Sequence, residues 1–245
     1  MTDRTIIAIE GTDREHFLQG LVTNDVRKAR GGIVYAALLT PQGKYISDFF
    51  LIGEPDRILL DVQTDQAASL VQRLTMYKLR ADVKITPTPL SVTSGTGPMP
   101  EGAHADPRAE GMGWRLYGDG PAEASTDTDA RRVANLVPAA GAELTPDSFI
   151  LEMGFERLNG VDFRKGCYVG QEVTARMKHK TELRKGLARV VLSAPVPSGT
   201  PIMTGEKEAG TIHTVSGTRA LAYLRFDRAE GEMSAAGATV TLDRG

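Results

Sequence analysis

The stretch GIVYAALLTPQGKYISDFFLI, residues 32–52, decides the fold class. Two apolar runs, rich in β-branched and aromatic residues and each short enough for a strand, flank Thr40-Pro41-Gln42-Gly43. Pro followed by Gly is a turn signal, so the pair reads as an antiparallel hairpin. Working outward, Thr5 to Glu10 is Ile-rich and reads as a strand, and Arg57 to Val62 as another. Thr12 and Glu15 have the S/T-x-x-E spacing of a capping box, which predicts a helix opening at EHFLQGL. From Asp65 to Leu79 the apolar residues Ala67, Leu70, Val71 and Leu74 recur at helical spacing, with Thr64 or Asp65 as N-cap. Strands dominate and helices are interspersed, which makes the class α+β.

Further out, residues 93–113 are rich in Gly and Pro and read as a loop or a joint between units. From Glu101 to Ala130, seven acidic residues face two basic ones, the pattern of a solvated surface stretch. From Gly186 onward LARVVL, GTIHTV, ALAYLRF and ATVTL alternate with Gly, Pro and Ser-Gly breaks and leave no room for a helix. A small all-β barrel or sandwich is expected there. The expected units are residues 1–92, 93–185 and 186–245. A length of 245 residues accommodates two or three small units, and 41% apolar with 24% charged residues is the balance of a globular chain rather than a disordered one.

Composition also narrows the function. A formal charge of −2 gives no global field to hold nucleic acid or an anionic membrane. No apolar run approaches a membrane span, and the opening MTDRTIIAIEG lacks the basic-then-apolar layout of a signal peptide, so the expected location is cytoplasmic. His16, His104, His179 and His213 stand alone in their segments, and no Walker, dinucleotide-binding or G-x-S-x-G motif is present. Cys167 is the only cysteine, which excludes an intrachain disulfide and any self-contained cysteine cluster site.

One segment departs from this neutrality. RKGCYVGQEVTARMKHKTELRKGLAR, residues 164–189, carries eight Lys/Arg against two Glu, leaving the remainder of the chain at −8. Cys167 stands beside Arg164 and Lys165 and between Gly166 and Gly170. Positive charge there favours a thiolate and small residues allow close approach; the alternative is a buried, inert thiol. The charge run itself reads either as a solvated helix face or as a phosphate-contacting patch.

Lys165-Gly166-Cys167-Tyr168-Val169-Gly170-Gln171-Glu172 resembles the K-G-C-Y-x-G-Q-E signature of the YgfZ family of folate-binding, iron–sulfur cluster assembly proteins, relatives of the glycine cleavage T-protein. The resemblance extends over FLQGLVTNDV (17–26), TPQGK (40–44), Tyr77-Lys78-Leu79-Arg80, the D-P-R and G-W-R pair (106–108 and 113–115) and LEMGFERLNGVDF (151–163). It implies a T-protein-like body of ferredoxin-like α/β units around a central folate cavity, followed by a C-terminal β-barrel. It implies a tetrahydrofolate ligand with Glu152 on the pterin edge, Asn24 and Tyr77 on the cavity walls and Arg80 at the folate tail. A bare first-turn acid at Glu152 and an Arg80–Asp82 pair are the plainer readings.

The aminomethyltransferases of this superfamily carry an Asp-Asp pair where this chain has Ser47-Asp48, and a hydroxyl cannot supply the negative charge that steers the transferred carbon. The resemblance therefore implies an assembly factor rather than a one-carbon transferase. Cys167 would be a transient ligand to a cluster shared with an A-type cluster carrier or a glutaredoxin, with no permanently bound metal. Client iron–sulfur enzymes, tRNA-modifying enzymes among them, are the further partners implied. Contact with nucleic acid is expected to be indirect, through those clients, and the chain is expected to be a monomer.

Overall fold

The computed structural model describes residues 4–118, 128–179 and 182–243. The chain opens with β1 (Arg4–Glu10) and α1 (Arg14–Gln19), followed by β2 (Ile33–Leu39), β3 (Tyr45–Gly53), β4 (Arg57–Gln63), α2 (Thr64–Lys78) and β5 (Lys84–Pro87). The strands form one antiparallel sheet of order β2-β3-β4-β1-β5. The hairpin of residues 32–52 is β2 and β3, in register from Ile33↔Ile52 to Leu38↔Ser47, with a bulge before the Leu39↔Tyr45 pair.

These strands read as continuous apolar runs because the sheet is buried on both faces. Tyr35, Ala37, Phe50, Ile52 and Leu59 pack on one side with Phe155, Leu158 and Met112 from later in the chain. Val34, Ala36, Leu38, Phe49 and Leu51 pack on the other with Leu18 of α1 and Leu70 and Leu74 of α2.

The capping box does not form. Helix α1 is preceded by Asp13, whose side chain makes no cap bond. The Thr12 hydroxyl donates instead to Asp82, 2.9 Å away, and Glu15 pairs with Arg30 at 2.7 Å. Contacts distant in sequence have taken both side chains. Helix α2 likewise starts after Gln63 with no side-chain cap.

The second unit holds β6 (Ser91–Gly95), β7 (His104–Ala105) and β8 (Trp114–Gly118) in the order β6-β8-β7, then α3 (Asp129–Asn135) and α4 (Gln171–His179). Between α3 and α4 the chain runs mostly in turns and returns to the first sheet: Tyr45 N–H donates to Ser148 O, and Asp162 N–H to Thr23 O. A buried charge cluster fastens the two sheets. Asp61 on β4 accepts from Arg4 at 2.6 Å, Tyr117 at 2.8 Å and Arg115 at 3.3 Å, while Asp106 accepts from Arg108 at 2.8 Å and Arg115 at 3.0 Å. The Arg115 guanidinium also lies 4.1 Å from the Phe50 ring centroid. Burial would raise the Asp106 carboxyl, and the guanidiniums of Arg108 and Arg115 reverse that, holding it well below the usual carboxylate range.

The last six strands are β9 (Lys185–Leu192), β10 (Pro201–Thr204), β11 (Lys207–Ser216), β12 (Arg219–Arg225), β13 (Met233–Ala235) and β14 (Ala238–Leu242). They close into a barrel of order β10-β11-β12-β9-β14-β13, with Met203 opposite Ser234 completing the ring. Its interior is filled by small and branched residues such as Val190, Ile202, Ile212, Ala222 and Val240. The barrel is strapped to the body by Arg132 of α3, which donates to Glu143 at 3.0 Å and to Thr214 of β11 at 2.9 Å. Glu143 in turn accepts from the Thr214 backbone and hydroxyl.

Candidate functional site

The segment 161–170 forms a loop on the C-terminal end of α1, ahead of α4. Two glycines set its course. Gly166 has φ +98° with nothing within 4 Å of where a Cβ would be, and Gly170 has φ +84° with such a Cβ 2.6 Å from Thr40 O. Gly170 therefore lets the loop close against the Thr40–Gly43 turn of the hairpin. Gly43 meets Val173 of α4 in the same contact. Between the two glycines Cys167 is exposed, so the buried, inert reading of that thiol does not hold.

Its neighbours point elsewhere. Lys165 is buried, and its Nζ donates to Gln19 O at 2.6 Å and Val22 O at 2.5 Å, with the Tyr168 ring centroid 5.0 Å away. Burial lowers its pKa to about 8, against the opposing pull of Asp25 and Asp162. Gln19 Nε2 donates back to Lys165 O, and Val169 N–H to Gly20 O. Tyr168 is buried, and burial raises its hydroxyl to about 12. Gln171 and Glu172 open α4, where Glu172 pairs with Arg176 at 2.8 Å, so Glu172 sits at the favourable end of the helix dipole. The exposed cation of the loop is Arg164. Lys165, expected to flank the thiol as a charge, faces the backbone instead.

Glu152 lies toward the barrel. Its Oε2 accepts from the Tyr223 hydroxyl at 2.5 Å, and its backbone O accepts from Leu187 N–H at 2.7 Å. Burial and the neighbouring Glu152 carboxylate together raise the Tyr223 hydroxyl, so it stays a donor. Glu152 borders a cavity of about 770 Å3 shared with Met177, Glu182, Leu183, Arg184, Lys185 and Arg225. Lys185 and Arg225 sit directly opposite each other on β9 and β12. Arg225 lies 3.5 Å from Asp227, and the Lys185 ammonium lies 5.5 Å from the Tyr223 ring centroid. Of the cations at this opening, Arg184 and Lys185 belong to the basic segment 164–189 of the sequence reading, while Arg225 was not singled out. The signal was present in the period-2 placement of Tyr223 and Arg225 on one side of a strand.

The other expected wall residues are not brought to this cavity. Asn24 is buried, its amide donating to Tyr35 O at 2.8 Å and Asn159 O at 2.7 Å while its Oδ1 accepts from Asp25 N–H. Tyr77 packs with the α2 side of the sheet, the face opposite the one that Met153 and Leu158 cover. Arg80 is exposed just past α2, and Asp82 accepts from Thr12. At the position where the transferases carry a carboxylate, Ser47 is buried and bonds Gln66 Oε1 at 2.9 Å. The adjacent Asp48 accepts from the hydroxyls of Tyr35 at 2.9 Å and Tyr45 at 2.6 Å.

Among the described residues no group of three or more His, Cys, Asp or Glu side chains is placed to hold a metal ion, and no helix is long and apolar enough to cross a membrane.

Residues 184–244 match the family model described as CAF17, C-terminal beta-barrel domain. The chain is 31% identical to the mouse iron–sulfur cluster assembly factor IBA57, mitochondrial, across 94% of this chain and 78% of the relative. It is 30% identical to the human protein of the same name, across 98% of this chain and 81% of the relative. Among solved structures, the glycine cleavage system aminomethyltransferase T from Bartonella henselae matches with a TM-score of 0.77, covering 100% of this chain and 83% of the other at 13% identity, a likeness of fold. The relatives' names place them in mitochondria, which overturns the cytoplasmic expectation drawn from the N-terminal residues. With 30–31% identity over nearly all of this chain and most of each relative, the chain belongs to the IBA57 family of iron–sulfur cluster assembly factors.

Proposed function

We propose that this protein assists iron–sulfur cluster assembly by lending the Cys167 thiolate to a cluster held chiefly by a second protein, an A-type carrier or a glutaredoxin. The single observation behind this reading is the exposed thiol on a glycine-hinged loop in a chain with no second cysteine. A [2Fe–2S] cluster needs about four protein ligands, so one thiolate can complete a shared site but cannot own one. Arg164, exposed three residues before it, offers a cation to the negatively charged cluster. The cluster passes on to client enzymes, which include tRNA-modifying enzymes. The K-G-C-Y-x-G-Q-E signature shared with YgfZ proteins supports the same role.

In the same proposal the cavity at Glu152 receives a tetrahydrofolate. The carboxylate offers acceptors to the amino and ring N–H groups of a pterin edge, and Arg184, Lys185 and Arg225 offer cations to a glutamate tail. Met177 of α4 and Lys185 and Arg225 of the barrel line this cavity, so a bound folate would be held by residues of both. Ser47 leaves the transferase position without a carboxylate, so the reading assigns the folate no transferred carbon.

The test mixes the protein with a [2Fe–2S]-loaded A-type carrier and follows the mixed complex by visible absorption and size exclusion. Wild type is expected to form it and Cys167→Ala to lose it. Equal complex formation by both would overturn the role given to the thiol.

A further inference from the structure

The sequence alone reads Lys165 as a charge for the thiolate, but its ammonium is buried and turned toward the backbone. Nζ has three protons; two go to Gln19 O and Val22 O, at the end of α1, and the Tyr168 face lies at 5.0 Å. A cation on helix-terminal carbonyls is the arrangement a helix C-terminus favours. Around it run two ties in the opposite sense: Gln19 Nε2 holds Lys165 O, and Val169 N–H holds Gly20 O. The backbone on both sides of Cys167 is thus fastened to one short segment, residues 19–22. The link between the fastenings contains Gly166, at positive φ with no side-chain neighbour.

We propose that Lys165 is a positioning residue: it latches the Cys167 loop to the end of α1 and presents the thiol in one outward orientation. The inference rests on Cys167 being the working thiol, and its primary readouts involve no cluster, so its failure and that of the cluster reading are distinguishable. Removing the latch frees the loop, while the sheet beneath it, held by its own ladder, stays folded. A merely electrostatic Lys165 would act instead on the reactivity of the sulfur toward charged reagents.

The experiment compares wild type, Lys165→Met and Lys165→Arg by amide hydrogen exchange and by alkylation of Cys167 with iodoacetamide and iodoacetate. In Lys165→Met, exchange at the Val169 and Asp162 amides is expected to speed up at least about tenfold with β3 and β4 amides unchanged, because only local opening has become easier. The ratio of iodoacetate to iodoacetamide rates is expected to stay within about twofold of wild type, since no nearby free charge has been lost. Lys165→Arg, which keeps the donors, is expected to restore wild-type exchange and complex formation with the [2Fe–2S]-loaded A-type carrier. Unchanged loop exchange in Lys165→Met, or a selective loss of iodoacetate reactivity, would overturn the proposal. Should Lys165→Met fail to fold, Gln19→Ala cuts the opposing tie and is expected to release the same two amides; unchanged exchange there would overturn it equally.

Discussion

At Glu152 one carboxylate oxygen is held by the Tyr223 hydroxyl while the side chain borders a cavity that Arg184, Lys185 and Arg225 share with Glu182. A group so placed is oriented before any ligand arrives, which removes part of the ordering cost of binding. Glu152→Gln keeps the volume but turns one acceptor into a donor facing the pterin edge. Losing a charge-assisted hydrogen bond is worth about 1.5–3 kcal/mol, so tetrahydrofolate affinity is expected to fall by roughly 10- to 100-fold. Calorimetric titration reads this directly, and an unaltered affinity would move the folate elsewhere. The sequence showed Glu152 as a candidate but not its setting, because Tyr223 and Arg225 lie some seventy residues on and reach it only through the closure of the barrel. Cys167 was similar. Its residue type and flanking glycines were legible, whereas its exposure, and the inward turn of Lys165 beside it, depend on carbonyls of residues 19 and 22 that no local pattern announces.

The hairpin turn and the loop before α4 form one joint. Gly43 and Gly170 approach so closely that a Cβ at position 170 would stand 2.6 Å from Thr40 O, at a φ of +84° that side chains avoid. Gly170→Ala is expected to cost about 1–3 kcal/mol from strain and displacement together, seen as a lower Tm and an α4 that frays faster in hydrogen exchange. A Tm equal to wild type would mean that the joint yields freely. The β2–β3 hairpin was readable in advance because strand-length apolar runs and a Pro/Gly turn agree. Helix α2 was readable from its period, and it spans Thr64–Lys78 as expected within a residue. Helix α1 opens within a residue of its expected start, but its cap was misread because a local capping pattern lost to tertiary partners, Asp82 for Thr12 and Arg30 for Glu15. Folding over long distances reassigned two side chains whose spacing was right and whose surroundings were invisible.

Over the whole molecule, body and barrel are coupled through buried charge rather than through apolar surface alone. Glu143 is fully enclosed and accepts from Arg132, Thr214 and the Ala139 N–H. Glu143→Ala leaves the Arg132 guanidinium without its buried partner, at a cost of about 3–5 kcal/mol. Chemical unfolding is then expected to separate into two steps. Fluorescence of Trp114, in the second unit, should report a midpoint different from that of the barrel strands followed by hydrogen exchange. A single coincident transition in the variant would show that the strap is not what makes the two parts unfold together. The barrel was foreseeable as a run of short strands, but the strap was not, since Arg132, Glu143 and Thr214 have no relation along the chain.

That closed ring has one more consequence. Among the described residues every barrel strand has a bonded neighbour on each side, so the barrel offers no unpaired edge strand for a visiting chain to extend. Recognition at that end has to be written in side chains and loop tips, and a client that binds by backbone zippering must find its template somewhere else on the surface.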